Sequence, residues 1–148
     1  MIVKTKWCLI ALIVFFTGCA SAVDKKERTR LPESYALKGT NTAVVGIAID
    51  SKGIPLETVK AVILKPGQRA VFAGPDEFQI IFKGKKAPSS QLQYRSSNGV
   101  IIIDVPKSIV ERPDLKNEFD KSGQVRFDYA IRIKDRELDP PFIVKRDD

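Results

Sequence analysis

The sequence predicts an all-β protein, a Greek-key β-sandwich of about seven strands, on two observations. Beyond residue 38, apolar residues occur in short runs rich in β-branched and aromatic side chains, and turn-forming residues separate the runs. Only residues 107–121 have helical character; they could hold a helical turn or two, and Pro113 interrupts them. Many short strands with little helix fold most simply as two packed sheets.

The predicted strands follow the apolar runs in chain order: residues 42–49, 59–65, 69–73, 77–83, 99–105, 124–134 and 141–145. Turn signals lie between them at residues 50–53, Pro66-Gly67, residues 74–76, Asn98-Gly99 and Ser122-Gly123. Asn98-Gly99 predicts a hairpin, because both residue types tolerate positive φ.

Two of the runs indicate what their strands face. In residues 124–134 every second residue is apolar, at Val125, Phe127, Tyr129, Ile131 and Ile133. This alternation predicts one face in the core and one face in water. Residues 100–103 are apolar at every position. That pattern predicts a strand covered on both faces, or an edge strand shielded by residues 107–121.

Residues 1–18 have the character of a secretory signal. Lys4 and Lys6 precede an unbroken apolar run, residues 7–16. Ten apolar residues rise about 15 Å as a helix, well short of the roughly 30 Å hydrocarbon core of a bilayer. Residues 1–18 are therefore predicted to be a cleaved signal peptide and not a membrane-spanning anchor.

The residues after the apolar run carry a resemblance. Thr17-Gly18-Cys19 resembles the lipobox of bacterial lipoproteins, although Phe16 stands where that family usually has an aliphatic residue. The resemblance implies a cut before Cys19, a diacylglyceryl group on its thiol and an acyl chain on the new amino group. Two or more chains hold a protein firmly at a bilayer, since each buried methylene contributes about 0.8 kcal/mol.

The residues that follow Cys19 bear on the destination. In such lipoproteins an aspartate there commonly marks inner-membrane retention, whereas this chain has Ala20 and Ser21, which favours the outer membrane. The alternative is an ordinary signal peptide cut near residues 19–22, which would leave a soluble periplasmic protein. Residues 19–38 are predicted to be the lipidated cysteine and a flexible, charged tether, and residues 39–148 the β-sandwich domain.

A second resemblance concerns the domain. The segments "PGQRAVFAGPDEFQIIFKGKKAP" and "GQVRFDYAIRIKDRELDPPFIVK" resemble the cupredoxin fold of plastocyanin-like and azurin-like proteins. The resemblance implies that Phe78 stands where the family has its first copper-binding histidine and that Ala130 stands where it has the cysteine. The position of the second histidine falls near Ile133. Blue copper requires a thiolate and two imidazoles. The resemblance therefore implies a cupredoxin-like sandwich without a metal site or a cofactor.

The composition excludes several kinds of chemistry. The sequence has no histidine, which removes histidine-based nucleophile systems, histidine-ligated zinc and the commonest general base. Asp135, Glu137 and Asp139 alternate as at the start of a calcium loop, but the glycine and final glutamate of an EF-hand are missing. A solvated turn is the better interpretation there. No catalytic residue and no enzymatic activity are predicted.

Two groups of basic residues form a candidate patch for an anionic partner: Lys83, Lys85 and Lys86, together with Arg126, Arg132 and Lys134. If their strands are neighbours, the cations would attract phosphates or carboxylates on glycans, lipids or acidic proteins. The alternative is an ordinary soluble face on which Asp128, Asp135 and Glu137 neutralise the field. Nucleic acid is not an expected partner, since no aromatic residue is interleaved with these cations.

These patterns predict a lipid-anchored protein of the cell outer membrane, facing the periplasm, that serves as a non-catalytic binding or assembly module. Its expected partners are the membrane, through Cys19, a protein of the envelope, and an anionic glycan or lipid. Two alternatives remain open. One is an enzyme that uses carboxylates on envelope glycans, and the other is a purely structural component that docks by edge-strand pairing.

Overall fold

A computed structural model describes residues 31–56 and 58–146. The predicted signal peptide, Cys19 and most of the predicted tether lie outside these residues. The described strands are β1 Glu33–Ser34, β2 Thr42–Gly46, β3 Ala48–Ile49, β4 Pro55–Leu56, β5 Ala61–Leu64, β6 Arg69–Ala73, β7 Gln79–Phe82, β8 Gln93–Arg95, β9 Val100–Asp104, β10 Gln124–Ile133, β11 Arg136–Leu138 and β12 Pro141–Lys145. A 3₁₀ helix, Lys107–Glu111, and one α-helix, α1 Pro113–Ser122, lie between β9 and β10.

The strands form two sheets that pack face to face. The large sheet has the order β1-β5-β12-β10-β7-β8, with β11 beside β10, and the small sheet has the order β2-β6-β9. β3 and β4 make a separate hairpin. The predicted all-β sandwich is confirmed, but it contains more strands than seven. Each of the seven predicted runs contains a strand; residues 42–49 divide into β2 and β3, and β1, β4, β8 and β11 are additional.

The domain begins earlier than predicted. Glu33 and Ser34, assigned to the tether, form β1, which pairs in parallel with Ala61 and Val62 of β5. Ser34 is buried, and its hydroxyl donates a hydrogen bond to the Val44 carbonyl oxygen at 3.0 Å. A strand of two residues is too short to show alternation, so the sequence pattern could not reveal it.

The core lies between the two sheets. The core face predicted for β10 is confirmed, because Val125, Phe127, Tyr129, Ile131 and Ile133 are all buried; on the other face Ala130, expected to be wet, is buried as well. Phe72 of β6 meets Tyr129 from the small sheet, and the rings of Phe82 and Phe142 surround Tyr129 within the large sheet. The aromatic cluster thus spans both layers and fixes how they face each other.

Pro113 begins α1 and does not interrupt a helix. The missing N–H of proline costs nothing at the first helical position, where no intrahelical partner exists. Leu115 and Phe119 are buried, so α1 packs its apolar face onto the sandwich. Gly123 ends the helix with φ of 68°, and its N–H donates to the Phe119 carbonyl oxygen at 2.8 Å. The helix is longer than the turn or two that the sequence predicted.

Asn98-Gly99 forms the tight turn that the sequence predicted. Both residues have positive φ, 50° and 72°, and Ser97 and Val100 exchange two backbone hydrogen bonds across the turn, at 3.0 and 3.1 Å. The two strands on either side of the turn do not continue as the predicted hairpin, because β8 pairs with β7 and β9 pairs with β6. The turn therefore carries the chain from the large sheet to the small sheet.

Candidate functional site

The structure brings the two predicted groups of cations onto one sheet but does not join them into one patch. β7 and β10 are neighbours, with Gln79 opposite Arg132, and they run antiparallel. Lys83 therefore follows the end of β7 beside Asp128, to whose carbonyl oxygen its N–H donates at 2.8 Å. Arg132 lies at the other end of the β7–β10 pairing.

Ion pairs neutralise most of these cations. The pairs are Lys83 with Asp139 at 2.7 Å, Lys86 with Glu118, Arg126 with Asp128 at 2.9 Å, and Arg132 with Glu137. The hydrogen bond to Asp139 raises the pKa of the Lys83 amine and so favours its charged form. Among the described residues, 31–56 and 58–146, no ion pair is formed by Lys85 or Lys134. Most of the outer face of the large sheet is thus a mixed-charge surface.

A groove of about 650 Å³ opens at the end of the sandwich where β7 begins and β10 ends. We call it the end groove. Five cationic side chains line it, Lys52, Arg95, Arg132, Lys134 and Arg136. Three acidic side chains line it as well, Asp76, Glu77 and Asp135. Only Arg132 and Lys134 belong to the patch that the sequence predicted.

The walls of the end groove come from distant parts of the chain. Gln79 of β7 pairs with Arg95 of β8 on one side and with Arg132 of β10 on the other. The Gln93 side-chain amide donates a hydrogen bond to the Gln79 Oε1 at 2.9 Å. The Gln79 oxygen thus accepts one hydrogen bond, and the Gln79 amide has an NH₂ group as a donor.

Two positions of the cupredoxin resemblance also line the end groove. Phe78 and Ile133, which the resemblance sets at the histidine positions, are 3% and 5% exposed and form the apolar floor. Ala130, at the cysteine position, is buried further along β10. In the described part of the chain, no group of His, Cys, Asp and Glu side chains is arranged to hold a metal ion.

A second surface is the free edge of the small sheet. β9 is the last strand of this sheet and pairs with β6 alone among the described strands. The Gly74 N–H donates to the Gly99 carbonyl oxygen, and the Val105 N–H donates to the Gln68 carbonyl oxygen. Since antiparallel bonding alternates along a strand, the backbone groups of Ile102 and Asp104 point away from β6.

The middle of the outer face of this sheet is apolar, beside the exposed Arg69–Asp104 ion pair. Val44, Val71 and Ile102 lie side by side in register across β2, β6 and β9, and Val44 and Ile102 are 50% and 49% exposed. The prediction that residues 100–103 are covered on both faces is wrong. These residues form an edge strand, as the alternative prediction stated. Residues 107–121, which that prediction expected to shield the strand, do not bury its outer side chains Val100 and Ile102. We call Val44, Val71, Val100 and Ile102 the apolar row.

The opposite edge of the small sheet is partly protected. The segment that contains β1 runs along β2, where the Ser34 hydroxyl bonds the Val44 carbonyl oxygen and Ala36 forms a bridge with Ala43. The terminal strands of the large sheet, β1 and β8, have only two and three residues. Short edge strands resist pairing with other chains. β9 is therefore the open edge of the sandwich.

The fold and these two surfaces define an all-β sandwich with an open strand edge and a basic groove. No protein-family model and no curated protein matches the sequence. Among the residues that the structure describes, no helix has the length and apolar character needed to cross a bilayer.

Proposed function

We propose that this chain is a non-catalytic binding or assembly module of the bacterial cell envelope, held at the outer membrane through lipidated Cys19 and facing the periplasm. The sequence supports the anchor, because Lys4 and Lys6, the apolar run and Thr17-Gly18-Cys19 follow each other as in lipoprotein signals. Residues 20–32 then separate Cys19 from β1 and are long enough to hold a domain clear of lipid headgroups.

We also propose that the sandwich is cupredoxin-like and has no copper site. The Pro66-Gly67 turn leads into β6, β7 follows, and β10 and β12 pair with each other near the end of the chain. This is the order of features on which the resemblance rests. Phe78, Ala130 and Ile133 at the implied ligand positions supply no thiolate and no imidazole.

The observation that carries the binding function is the open edge at β9. Ile102 offers unpaired backbone groups along the edge, and its half-exposed side chain belongs to the apolar row. An extended segment of a protein partner can add to such an edge as a further strand, with backbone hydrogen bonds for affinity and alternate side chains for specificity. We propose that the module docks its envelope partner in this way.

The test compares recovery of a stoichiometric partner from detergent-solubilised membranes by three forms of the full chain. Ile102→Arg places a charge on the open edge, whereas Leu92→Arg makes the same kind of change at an exposed leucine outside the small sheet. The wild type and Leu92→Arg should recover the partner, and Ile102→Arg should lose it. Equal recovery by all three forms, or no partner with the wild type, would overturn the proposal.

A further inference from the structure

We propose that the end groove binds a phosphate monoester through Arg95, Gln79 and Lys134. This site is independent of the proposed partner surface, since no residue of β9 lines the groove. The groove has the size, the positive charge and the hydrogen-bond donors that such a ligand needs.

The size fits a small ligand. A volume of about 650 Å³ falls within the range of roughly 300–1,000 Å³ that small-molecule sites occupy. Ile49, which is 45% exposed, and Pro75 provide apolar wall on one side. A phosphorylated sugar or a lipid headgroup fits this space, and each presents a phosphate beside less polar surface.

The groove has an excess of positive charge and several donors. Five cations and three acids line it, and Glu137, which pairs with Arg132 from outside the lining, leaves an excess of one positive charge. A phosphate monoester carries about 1.5 to 2 negative charges at neutral pH and presents three acceptor oxygens. A carboxylate carries one charge and presents only two oxygens. Phosphate therefore uses more of the donors of the groove than a carboxylate does.

Three of the cations are available to a ligand. Arg132 is occupied by Glu137, and Arg136 lies 3.9 Å from Asp135. Among residues 31–56 and 58–146, Lys52, Arg95 and Lys134 form no ion pair. Side chains that carry charge without a partner gain most from an oxyanion, because the hydrogen bond to it is charge-assisted.

The available donors lie along one side of the groove. Neighbouring strands lie about 4.8 Å apart, so the backbones of Arg95 and Arg132 are roughly 10 Å apart with Gln79 between them. The Gln79 Oε1 accepts from Gln93, and the Gln79 amide has an NH₂ group as donor. Since Glu137 holds Arg132, the third donor is Lys134, which follows Arg132 by two residues and lines the same groove. Arg95, Gln79 and Lys134 thus supply three donor groups for the three oxygens of a phosphate.

The experiment titrates the isotope-labelled full chain, in micelles of a non-ionic detergent, with inorganic phosphate at constant ionic strength and follows amide NMR shifts. Saturable shifts should concentrate at Gln79, Arg95 and Lys134. Acetate should bind at least about tenfold more weakly, because it has only about half to two-thirds of the charge and one acceptor oxygen fewer. Glucose 6-phosphate and mixed micelles with phosphatidic acid then distinguish a sugar phosphate from a lipid headgroup.

The variants include a matched control. Arg95→Gln and Lys134→Gln should each weaken phosphate binding about tenfold, the expected effect of losing one charged hydrogen bond. Lys85→Gln removes the same charge from a lysine with the same left-handed backbone, φ of 60° against 55°, outside the groove, and should bind as the wild type does. Shifts that do not saturate, or equal weakening by Lys85→Gln, would overturn the proposal.

Discussion

The ring of Phe72 meets the ring of Tyr129 edge-on, with 5.8 Å between the ring centroids and 69° between the planes. Phe72 belongs to β6 and Tyr129 to β10, so this contact joins the small sheet to the large sheet. Neither side chain is exposed to solvent. Edge-to-face pairs contribute about 0.5–1.5 kcal/mol beyond the burial of their area. The contact is thus a main link between the two layers.

Phe72→Ala should therefore lower the free energy of unfolding by about 3–5 kcal/mol, through lost burial and a cavity against Tyr129. Val44→Thr, at an exposed position of the neighbouring strand β2, should change it by no more than about 0.5 kcal/mol. Urea denaturation of both variants provides the measurement. Similar midpoints for the two would contradict the central place of Phe72 in the core.

Gly99 should tolerate no side chain. A Cβ at Gly99 would lie 2.6 Å from the Gly74 carbonyl oxygen, and its φ is 72°, whereas Gly84 has a similar φ of 68° with no atom within 4 Å. Gly84→Ala should cost about 1–2 kcal/mol from the left-handed backbone alone. Gly99→Ala adds displacement of backbone and should cost about 2–4 kcal/mol. Thermal unfolding that ranks the two equally would contradict the close contact.

Lys134 should show a conflict between stability and binding. Its φ of 55° is strained for a lysine, and glycine adopts this conformation freely. Lys134→Gly should raise the free energy of unfolding by about 0.5–1 kcal/mol while it weakens phosphate binding about tenfold. Lys134→Gln keeps the strain and should weaken binding to the same extent without a gain in stability. If both variants have the same stability, the left-handed strain at this turn is negligible.

Asp120 should make stability sensitive to acid. Hydrogen bonds from Lys116 and then from Arg146 lower the pKa of Asp120 below its ordinary value of 3.8. A carboxyl whose pKa is lowered by folding stabilises the fold fully above its unfolded pKa and loses this contribution as the pH falls through the folded pKa. Below pH 3.8, the wild type should lose stability more steeply than Asp120→Asn. Parallel curves in denaturant titrations would contradict this linkage.

Cys19→Ser should abolish the lipid anchor. The lipobox resemblance requires the Cys19 thiol for diacylglyceryl transfer, and cleavage follows that step. The variant should keep its signal and fail to pellet with the outer membrane as a processed form. Cell fractionation with immunoblotting tests this. A variant that is processed and sediments as the wild type does would contradict the anchor, without bearing on the surfaces of the domain.

The long strands could be predicted because each carries a repeated pattern. β10 alternates along its length except at Ala130, and β6 and β12 coincide with predicted runs. β1, β4, β8 and β11 have two or three residues each, too few for a period of two to be visible. The sequence pattern also could not tell that Val100 and Ile102 face water, because an apolar run shows no face.

The end groove was harder to predict for a different reason. Arg95 becomes a neighbour of Gln79 only through the pairing of β8 with β7. β8 has three residues, which is too short for the sequence to indicate its register. The contacts of Lys86 with Glu118 and of Lys83 with Asp139 likewise join distant segments. From the sequence alone, the adjacency of β7 and β10 was only a condition for the patch; their antiparallel direction, which leaves Arg126 near Lys83 but puts Arg132 and Lys134 at the other end, left no mark on the sequence.

The position of β12 has a consequence for the order in which the large sheet can form during synthesis. β12 lies between β5 and β10, parallel to the first and antiparallel to the second, although it is the last of the described strands. Until residues 141–145 emerge, the large sheet has a gap at its centre and its two halves cannot join. Contacts between such distant segments form slowly. The large sheet can therefore close only after synthesis has passed residue 145, and the strands made earlier stay unjoined in the nascent chain until then.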